Sequence, residues 1–426
     1  MSRILIAVTP LMGHVNPMFT VAESLRDAGH EIYFNTSDVF RERIEGANFR
    51  FLPLLGNANY DWRRIGELIP ELLSAATPMD QQNAYVKYLF ADRIPDQYHG
   101  LQRYIKEYSF DLVMTDVLFV GNLPLLLSGE SRPPVLSCGV VAPLWLDPAS
   151  SIFAGPDDTP EGRLRNLELN RQFNQLRAPS HTYLDDVLRR LGVSIDGGFD
   201  TNTMYRLPDV FLQLGAEDFE FPMADRPANL HFTGPILHRH CDLPSPAWLQ
   251  NLDDSRPIIF VTQGTVANFD FNQLINPTIA GLAEENVQVV VTAGGGATEI
   301  ISAANAIVEP YISYELILPK TNVFVTNGGY NGVQQAISYG VPVISAGESE
   351  DKPLVSMRVS WSGTGIDLKT GTPTPTQIRD AVREILHNPK YADRTKLVGA
   401  KIAKTNALQT IVDIVMRTSS KGAQKI

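Results

Sequence analysis

Short apolar runs that end in a glycine-bearing polar turn, and pass straight into a helix-period segment, constrain this chain more than any other feature. "VFVTNGGYNGVQQAISYG", residues 323–340, is the clearest of them. Val323, Phe324 and Val325 offer apolar side chains to both faces, so this strand must be covered on both sides. A strand of that kind followed at once by a helix is a unit of a parallel sheet. The chain opens with the same grammar. "RILIAV" reads as a buried strand, and a loop carrying Pro10 and Gly13 follows. Asn16-Pro17 then reads as a helix N-cap with proline at the first helical position. Met18, Val21, Ala22 and Leu25 recur at the spacing of one helix face, Gly29 ends the helix, and "EIYF" is the next strand.

"FDLVMTD" and "PPVLSCG" are further strands of this half. Residues 56–105 carry amphipathic helices rich in aromatic and aliphatic residues, and 149–162 reads as a loop. After the proline-rich stretch 241–257 the pattern restarts. "IIFVTQGT", "VQVVVTAGGG", "AIVEP", "VFVTNGG" and "VPVISAG" are five strands separated by helix-length segments, hence a second open α/β sheet. A length of 426 residues suits two or three domains. The expected division is an N-terminal domain over 1–240, a stiff linker over 241–257 and a second domain over 258–400. A C-terminal helix within 401–426 is expected to pack back on the first domain.

Composition narrows the function classes. The formal net charge of −11 argues against a phosphate-backbone partner, which needs a basic face. Cys138 and Cys241 are too few for a disulfide framework or a zinc quartet. The first apolar run stops after Val8, too early for a secretory signal, and no run of about 18 apolar residues exists to span a membrane. A cytoplasmic location is expected.

In an open parallel sheet, ligands bind beyond the carboxyl ends of the strands. Four polar turns lie at such ends: Gly13-His14, Thr115-Asp116, Gln263-Gly264-Thr265, and Asn327 to Gly332. Two come from each half, and a cleft between the domains would gather all four. Gly328, Gly329 and Asn331 stand at a helix N-terminus, where unpaired N–H groups and the macrodipole favour an anion. The turn is neither a P-loop nor Gly-x-Gly-x-x-Gly. A tight turn with a cap remains its plainer reading. His14 and Asp116 taken singly are also ordinary loop and cap residues. Taken together they suit a base, because a carboxylate on one ring nitrogen fixes the imidazole tautomer. No Gly-x-Ser-x-Gly elbow supports a serine hydrolase. No two aspartates stand two residues apart, so the spacing that holds a metal against a diphosphate is missing.

"GHVNP", "TQGT", "VFVTNGGYNGVQQAISYGVP" and "EDKP", in this order, resemble the family 1 glycosyltransferases of GT-B fold, the UDP-glycosyltransferase superfamily, and more closely its bacterial and fungal branch. The resemblance spans the chain and is strongest over 255–368. It implies two Rossmann-like domains whose parallel sheets face each other across a cleft. It also implies roles for single residues. His14 would deprotonate the acceptor hydroxyl and Asp116 would orient it. Gly264 and Thr265 would bind a donor phosphate, and Asn327, Gly328, Gly329, Asn331 and Gly332 would cradle the diphosphate. Tyr311 and Ile312 would lie along the uracil and ribose, while Asp351 and Lys352 would meet the sugar. Three departures stand out: many relatives carry His where this chain has Asn327 and Gln where it has Lys352, and Val308 replaces the Trp of plant relatives.

The expected reaction is inverting transfer of a sugar, most simply glucose, from a UDP-sugar to a hydroxyl of a small hydrophobic acceptor such as a phenolic or flavonoid. The product is a β-glycoside, and neither metal nor further cofactor is expected. The segments "NYDWRRIGELI", "NAYVKYLF" and "APLWLDPASSIF" would line the acceptor pocket, with Met12, Tyr85, Phe119 and Trp145 as contacts. The same aromatics read equally as ordinary core. Two rivals share the fold: a UDP-sugar 2-epimerase, which needs no hydrophobic acceptor pocket, and a non-catalytic helper, which would not need the His14–Asp116 pair. A nicotinamide dehydrogenase fits worse, since no Gly-x-Gly-x-x-Gly follows the first strand.

Overall fold

The apolar runs form two separate parallel sheets. The structure, a computed structural model, describes residues 1–237, 246–264, 270–294 and 299–422. It divides into two compact units: one of Met1–Leu214, Pro222–Thr233 and Leu408–Ile426, the other of Gly215–Phe221 and Gly234–Ala407. The expected linker falls partly outside the described residues, as do Cys241 and Thr265.

The first sheet contains β1 (Arg3–Ala7), β2 (Glu31–Thr36), β3 (Arg50–Pro53), β4 (Leu112–Asp116) and β5 (Val135–Gly139). A small hairpin of β6 (Ser150–Ser151) and β7 (Gly155–Pro156) stands apart, and β8 (Val210–Gln213) and β9 (Leu230–Phe232) complete the sheet. Its order is β3-β2-β1-β4-β5-β8-β9, parallel throughout. The second sheet comprises β10 (Ile258–Thr262), β11 (Gln288–Thr292), β12 (Ala306–Glu309), β13 (Val323–Thr326), β14 (Val343–Ser345) and β15 (Gly365–Asp367), ordered β12-β11-β10-β13-β14-β15. Both are doubly wound, and each reverses strand order once, between β1 and β4 and between β10 and β13. Of the polar turns singled out in the sequence, Thr115-Asp116 ends β4, while Gly13-His14, Gln263-Gly264 and Asn327 to Gly332 follow β1, β10 and β13. Topology therefore places them at the two crevices where such sheets bind ligands.

Six helices bear on function. They are α1 (Met12–Asp27), α2 (Pro78–Ala84), α3 (Pro160–Arg190), α4 (Tyr330–Ser338), α5 (Lys352–Ser362) and α6 (Ala407–Gly422). Helix α1 begins at Met12 and not after Asn16-Pro17. Leu11 is its N-cap, with no side-chain bond, and Pro17 lies inside the helix. The hydrogen bond that Pro17 cannot donate would have gone to the carbonyl of Gly13, within the first turn. His14 consequently rides on helix, which fixes it more firmly than a loop would. Four strands escaped the sequence reading: β3, β8, β9 and β15 are only three or four residues long. The segment 149–162 holds the β6–β7 hairpin and the start of α3.

Each sheet is sealed by its own core. Leu5, Ala7, Tyr33, Val113 and Leu125 pack together in the first unit, and Val261, Val289, Val325, Ile344 and Ile378 in the second. The second unit also holds a buried polar knot. Glu220 and Arg358 are 3% and 2% exposed, and the Arg358 Nε donates to Glu220 Oε2 at 2.6 Å. The Tyr330 hydroxyl donates to the other carboxylate oxygen, Ala216 N–H donates to Gln334 Oε1 at 2.8 Å, and the guanidinium stacks 4.4 Å over Phe221. Tyr330 is the first residue of α4, so this knot fastens the start of that helix to the 215–221 segment. Gly215 is required there, because a Cβ would come within 1.8 Å of the Tyr330 hydroxyl.

Removing one partner of a buried charge pair leaves the other stranded, at a cost of about 3–5 kcal/mol. Glu220→Ala should lower the unfolding free energy by about that amount, and Tyr330→Phe by only ~1 kcal/mol because no charge is stranded. Denaturant titrations of the two variants check this. Equal, sub-kilocalorie losses would show that the pair is not what fastens α4.

Candidate active site

Parallel register sets the candidate site of the first unit. Ala7 of β1 pairs with Thr115 of β4, so both strands end at the same level and Asp116 emerges beside Thr9. Asp116 is fully enclosed. Its Oδ2 accepts the Thr9 N–H at 2.6 Å, and its Oδ1 accepts the Leu118 N–H at 3.0 Å. His14, 5% exposed on the first turn of α1, sets its Nδ1 at 2.7 Å from the same Oδ1. Two backbone donors fix the carboxylate, and the carboxylate fixes the imidazole. With the Nδ1 proton given to Asp116, the lone pair left free is on Nε2, which makes no hydrogen bond among the described residues. The arrangement can accept a proton from a hydroxyl that reaches Nε2.

Two neighbours were not singled out from the sequence. Tyr60 is buried, its hydroxyl has no partner among the described residues, and Arg93 lies 5.7 Å from its ring centroid. Burial pushes the Tyr60 phenol up; Arg93 opposes this and Asp116 adds to it. Cys138 stands opposite Asp116 in the sheet, and burial, then the Asp116 charge, pushes its thiol up, so it is inert. The aromatic content of "NYDWRRIGELI" was the available signal for Tyr60; nothing marked Arg93.

The candidate anion site of the second unit lies at the end of β10 and β13. Helix α4 has Gly329 as its N-cap and no side-chain cap, so its first turn is open to an anion. Asn327 does not cap it. The Asn327 Nδ2 donates instead to the Gln263 carbonyl, which ties the two turns together. One amide hydrogen of Asn327 is thereby used and the second remains to be given. Gly328 has φ +91°, and a Cβ there would sit 2.7 Å from the Ser345 hydroxyl; Gly264 also needs its positive φ of +75°. Around Gly329 a Cβ would meet nothing within 4 Å, whereas at Gly332 it would press on the Tyr314 ring at 3.3 Å. Gly329 thus borders open space and Gly332 serves helix packing. Asn331 is half-buried on the first turn of α4.

The remaining candidates separate clearly. Tyr311 is 67% exposed, while Ile312 is buried with its N–H on the Thr292 hydroxyl at 3.1 Å, so Ile312 can offer a ligand only backbone. Asp351 is the N-cap residue of α5 and half-buried. Lys352 is 5% exposed, and its ammonium is held by Ser349 Oγ at 3.0 Å and by the Glu350 carboxylate. Among the expected acceptor contacts, Met12 and Tyr85 are half-buried, and Tyr85 opens a π-helical turn, Tyr85–Phe90, of the type that interrupts helices at functional sites. Trp145 is buried edge-on against Tyr205, with its indole N–H on Asp147 at 3.1 Å. Phe119 is wholly enclosed with Leu5 and Ala7 and belongs to the core, because the turn after β4 folds it back under the sheet. Among the described residues no three His, Cys, Asp or Glu side chains gather as metal ligands, and no helix is long and apolar enough to cross a membrane.

Residues 277–417 match the family described as erythromycin biosynthesis protein CIII-like, C-terminal domain. UDP-glucosyltransferase A1 of Starmerella bombicola is 31% identical, over 96% of this chain and 91% of that protein. 4'-Demethylrebeccamycin synthase of Lentzea aerocolonigenes is 33% identical, over 97% and 99%. Among solved structures, the calicheamicin glycosyltransferase CalG4 superposes with a TM-score of 0.73 at 17% identity, over 98% of both chains. The kitacinnamycin glycosyltransferase does so with a TM-score of 0.71 at 20% identity, over 98% of this chain and 99% of that one. Full-length kinship to the first pair and the shared two-sheet architecture of the second identify the chain as a member of the family 1 glycosyltransferases, enzymes of GT-B fold.

Proposed function

We propose that the enzyme moves a sugar, most simply glucose, from a UDP-sugar to a hydroxyl of a small hydrophobic acceptor, with inversion. The observation that carries this reading is the enclosed His14–Asp116 pair, with its carboxylate pinned by two backbone donors and its Nε2 unpartnered. The acceptor oxygen attacks the anomeric carbon while the bond to the diphosphate breaks. The hydroxyl proton passes to His14 Nε2, and UDP leaves with the electron pair of the broken bond, its terminal phosphate gaining one negative charge, so an α-linked donor gives a β-glycoside. Asp116 stabilises the imidazolium that forms. The open first turn of α4, with Asn327 and the Gly328-Gly329 turn, supplies dipole and N–H donors to the leaving diphosphate, usually the larger contribution to rate. These donors take the place of a metal ion on this reading, and the UDP-sugar is the only co-substrate. UDP as the carrier is supported by the naming of the Starmerella relative as a UDP-glucosyltransferase.

His14→Ala should lower kcat by ~10²-fold or more with UDP affinity nearly unchanged. Asp116→Asn places an amide where Thr9 and Leu118 both donate, so it should lower kcat as well. The double variant should lose no more than the worse single one, because the two act as a unit. Additive losses in single-turnover rates would separate the two residues.

Asn327→Ala should weaken donor use by roughly 10- to 150-fold, in donor KM or kcat and with acceptor KM unchanged. Asn327→His retains a neutral donor and should keep more activity, with a steeper pH dependence below about 7. Donor titrations decide it: normal donor kinetics in Asn327→Ala would remove the residue from the diphosphate site.

A further inference from the structure

Helix α3 carries an unusual buried cation. Arg177 is 8% exposed, and its Nε is enclosed without a hydrogen-bond partner among the described residues. Its terminal nitrogens likewise make no hydrogen bond among the described residues, and they are not fully enclosed. No carboxylate offsets the burial, which alone pushes the group down, to about 10. It therefore stays charged at neutral pH. The Phe173 ring lies 5.8 Å from the guanidinium carbon. A guanidinium has five donors in a planar fork and cannot be discharged, so leaving it buried and unpaired is unfavourable unless something else pairs it.

The surroundings are those of a binding wall. At this turn α3 is locked to α2: Asn83 Nδ2 donates to the Leu176 carbonyl at 2.9 Å, and the Ser180 hydroxyl donates to Asn83 Oδ1 at 2.7 Å. The π-helical turn beginning at Tyr85 follows directly and also packs on α3, through Tyr88 against Tyr183. On the other side Phe173 meets Phe153 edge to face, at 6.1 Å, and Asn170 Nδ2 holds the Asp147 and Ser150 carbonyls. One turn beyond Arg177, His181 is buried edge-on to Phe199 and held neutral, at about 4, by burial first and by the Arg177 charge second. Arg177 is thus a buried cation set among aromatic rings, on a helix that touches two of the segments expected to line the acceptor pocket, 83–90 and 142–153.

We propose that Arg177 pairs with a carboxylate on the acceptor, so that the preferred acceptors are hydroxylated carboxylic acids with an apolar body. This deepens the acceptor reading above and rests on it. The planar fork matches a carboxylate in bidentate fashion, and the rings of Phe173 and Phe153 suit the apolar part that joins acid to hydroxyl.

The test uses the full-length enzyme with para-hydroxyphenyl alkanoic acids of graded chain length and their methyl esters. Binding is measured by calorimetry without donor, and transfer separately with UDP-glucose. At the best chain length the wild type should bind the acid ~10- to 100-fold more tightly than its ester, Arg177→Met should abolish that preference chiefly by weakening the acid, and donor KM should not move. Arg177→Lys keeps the charge without the fork and should keep part of the preference, which covers the case of a Met variant that does not fold. Equal wild-type affinity for acid and ester at every length would overturn the proposal, as would a Met variant that weakens both alike. Lack of transfer to any hydroxylated compound would strike the proposed function alone, since acid preference is read from binding. Transfer that is intact but indifferent to the acid would strike the Arg177 proposal alone.

Discussion

A carboxylate pinned by backbone is the interaction on which the proposed chemistry depends. Asp116 has no side-chain freedom left once Thr9 and Leu118 donate to its two oxygens. The Thr9 donor exists because β1 and β4 are adjacent and end within a residue of each other, a property of the sheet, while the Leu118 donor comes from the turn that follows β4. A histidine on a helix that starts five residues after β1 then meets a partner whose position was already decided. The price is a charged group at zero exposure, tolerable only because three donors surround it.

On the proposed reading the second unit holds the donor's negative charge with backbone rather than side chains. Helix α4 is left without a side-chain cap, and its opening is shaped by Gly328 and Gly329. An uncapped helix start is mechanically weak. Here the Glu220–Tyr330–Arg358 knot clamps its first residue from behind, and Asn327 ties the preceding turn to the Gln263 carbonyl. The cation that a metal or a lysine would have supplied is not built into the turn: Lys352 is nearby in sequence, yet its ammonium is engaged by Glu350 and Ser349.

Much of this was legible in the sequence because both sheets are parallel and their central strands are apolar on both faces. "RILIAV", "FDLVMTD", "IIFVTQGT" and "VFVTNGG" could hardly be anything but inner strands, and the turns after them had to lie at carboxyl ends. Three of the four edge strands were not legible: "RFLP", "LHF" and "GID" are three or four residues long and too mixed in polarity to carry a period. The start of α1 was misplaced because Asn16-Pro17 is a strong local signal for a helix start, and the pairing of β1 with β4 outweighs it by demanding the helix earlier. Phe119 and Phe153 look alike in sequence, yet one is enclosed and the other is 48% exposed, since only the tertiary fold decides which face is covered. Arg177 gave no signal, for a lone arginine on a polar helix is ordinarily solvated.

The orientation of His14 by Asp116 is tested most directly by nitrogen-15 NMR of the His14 ring in enzyme labelled at histidine. The signal is assigned by difference against His14→Gln and read at mildly alkaline pH. A protonated, pyrrole-type Nδ1 and a bare, pyridine-type Nε2 are the expected result, and the pattern should be lost in Asp116→Ala. A ring with its proton on Nε2 in the wild-type enzyme would contradict the role of Asp116, because the nitrogen left to act as base would then be the one turned toward a buried carboxylate.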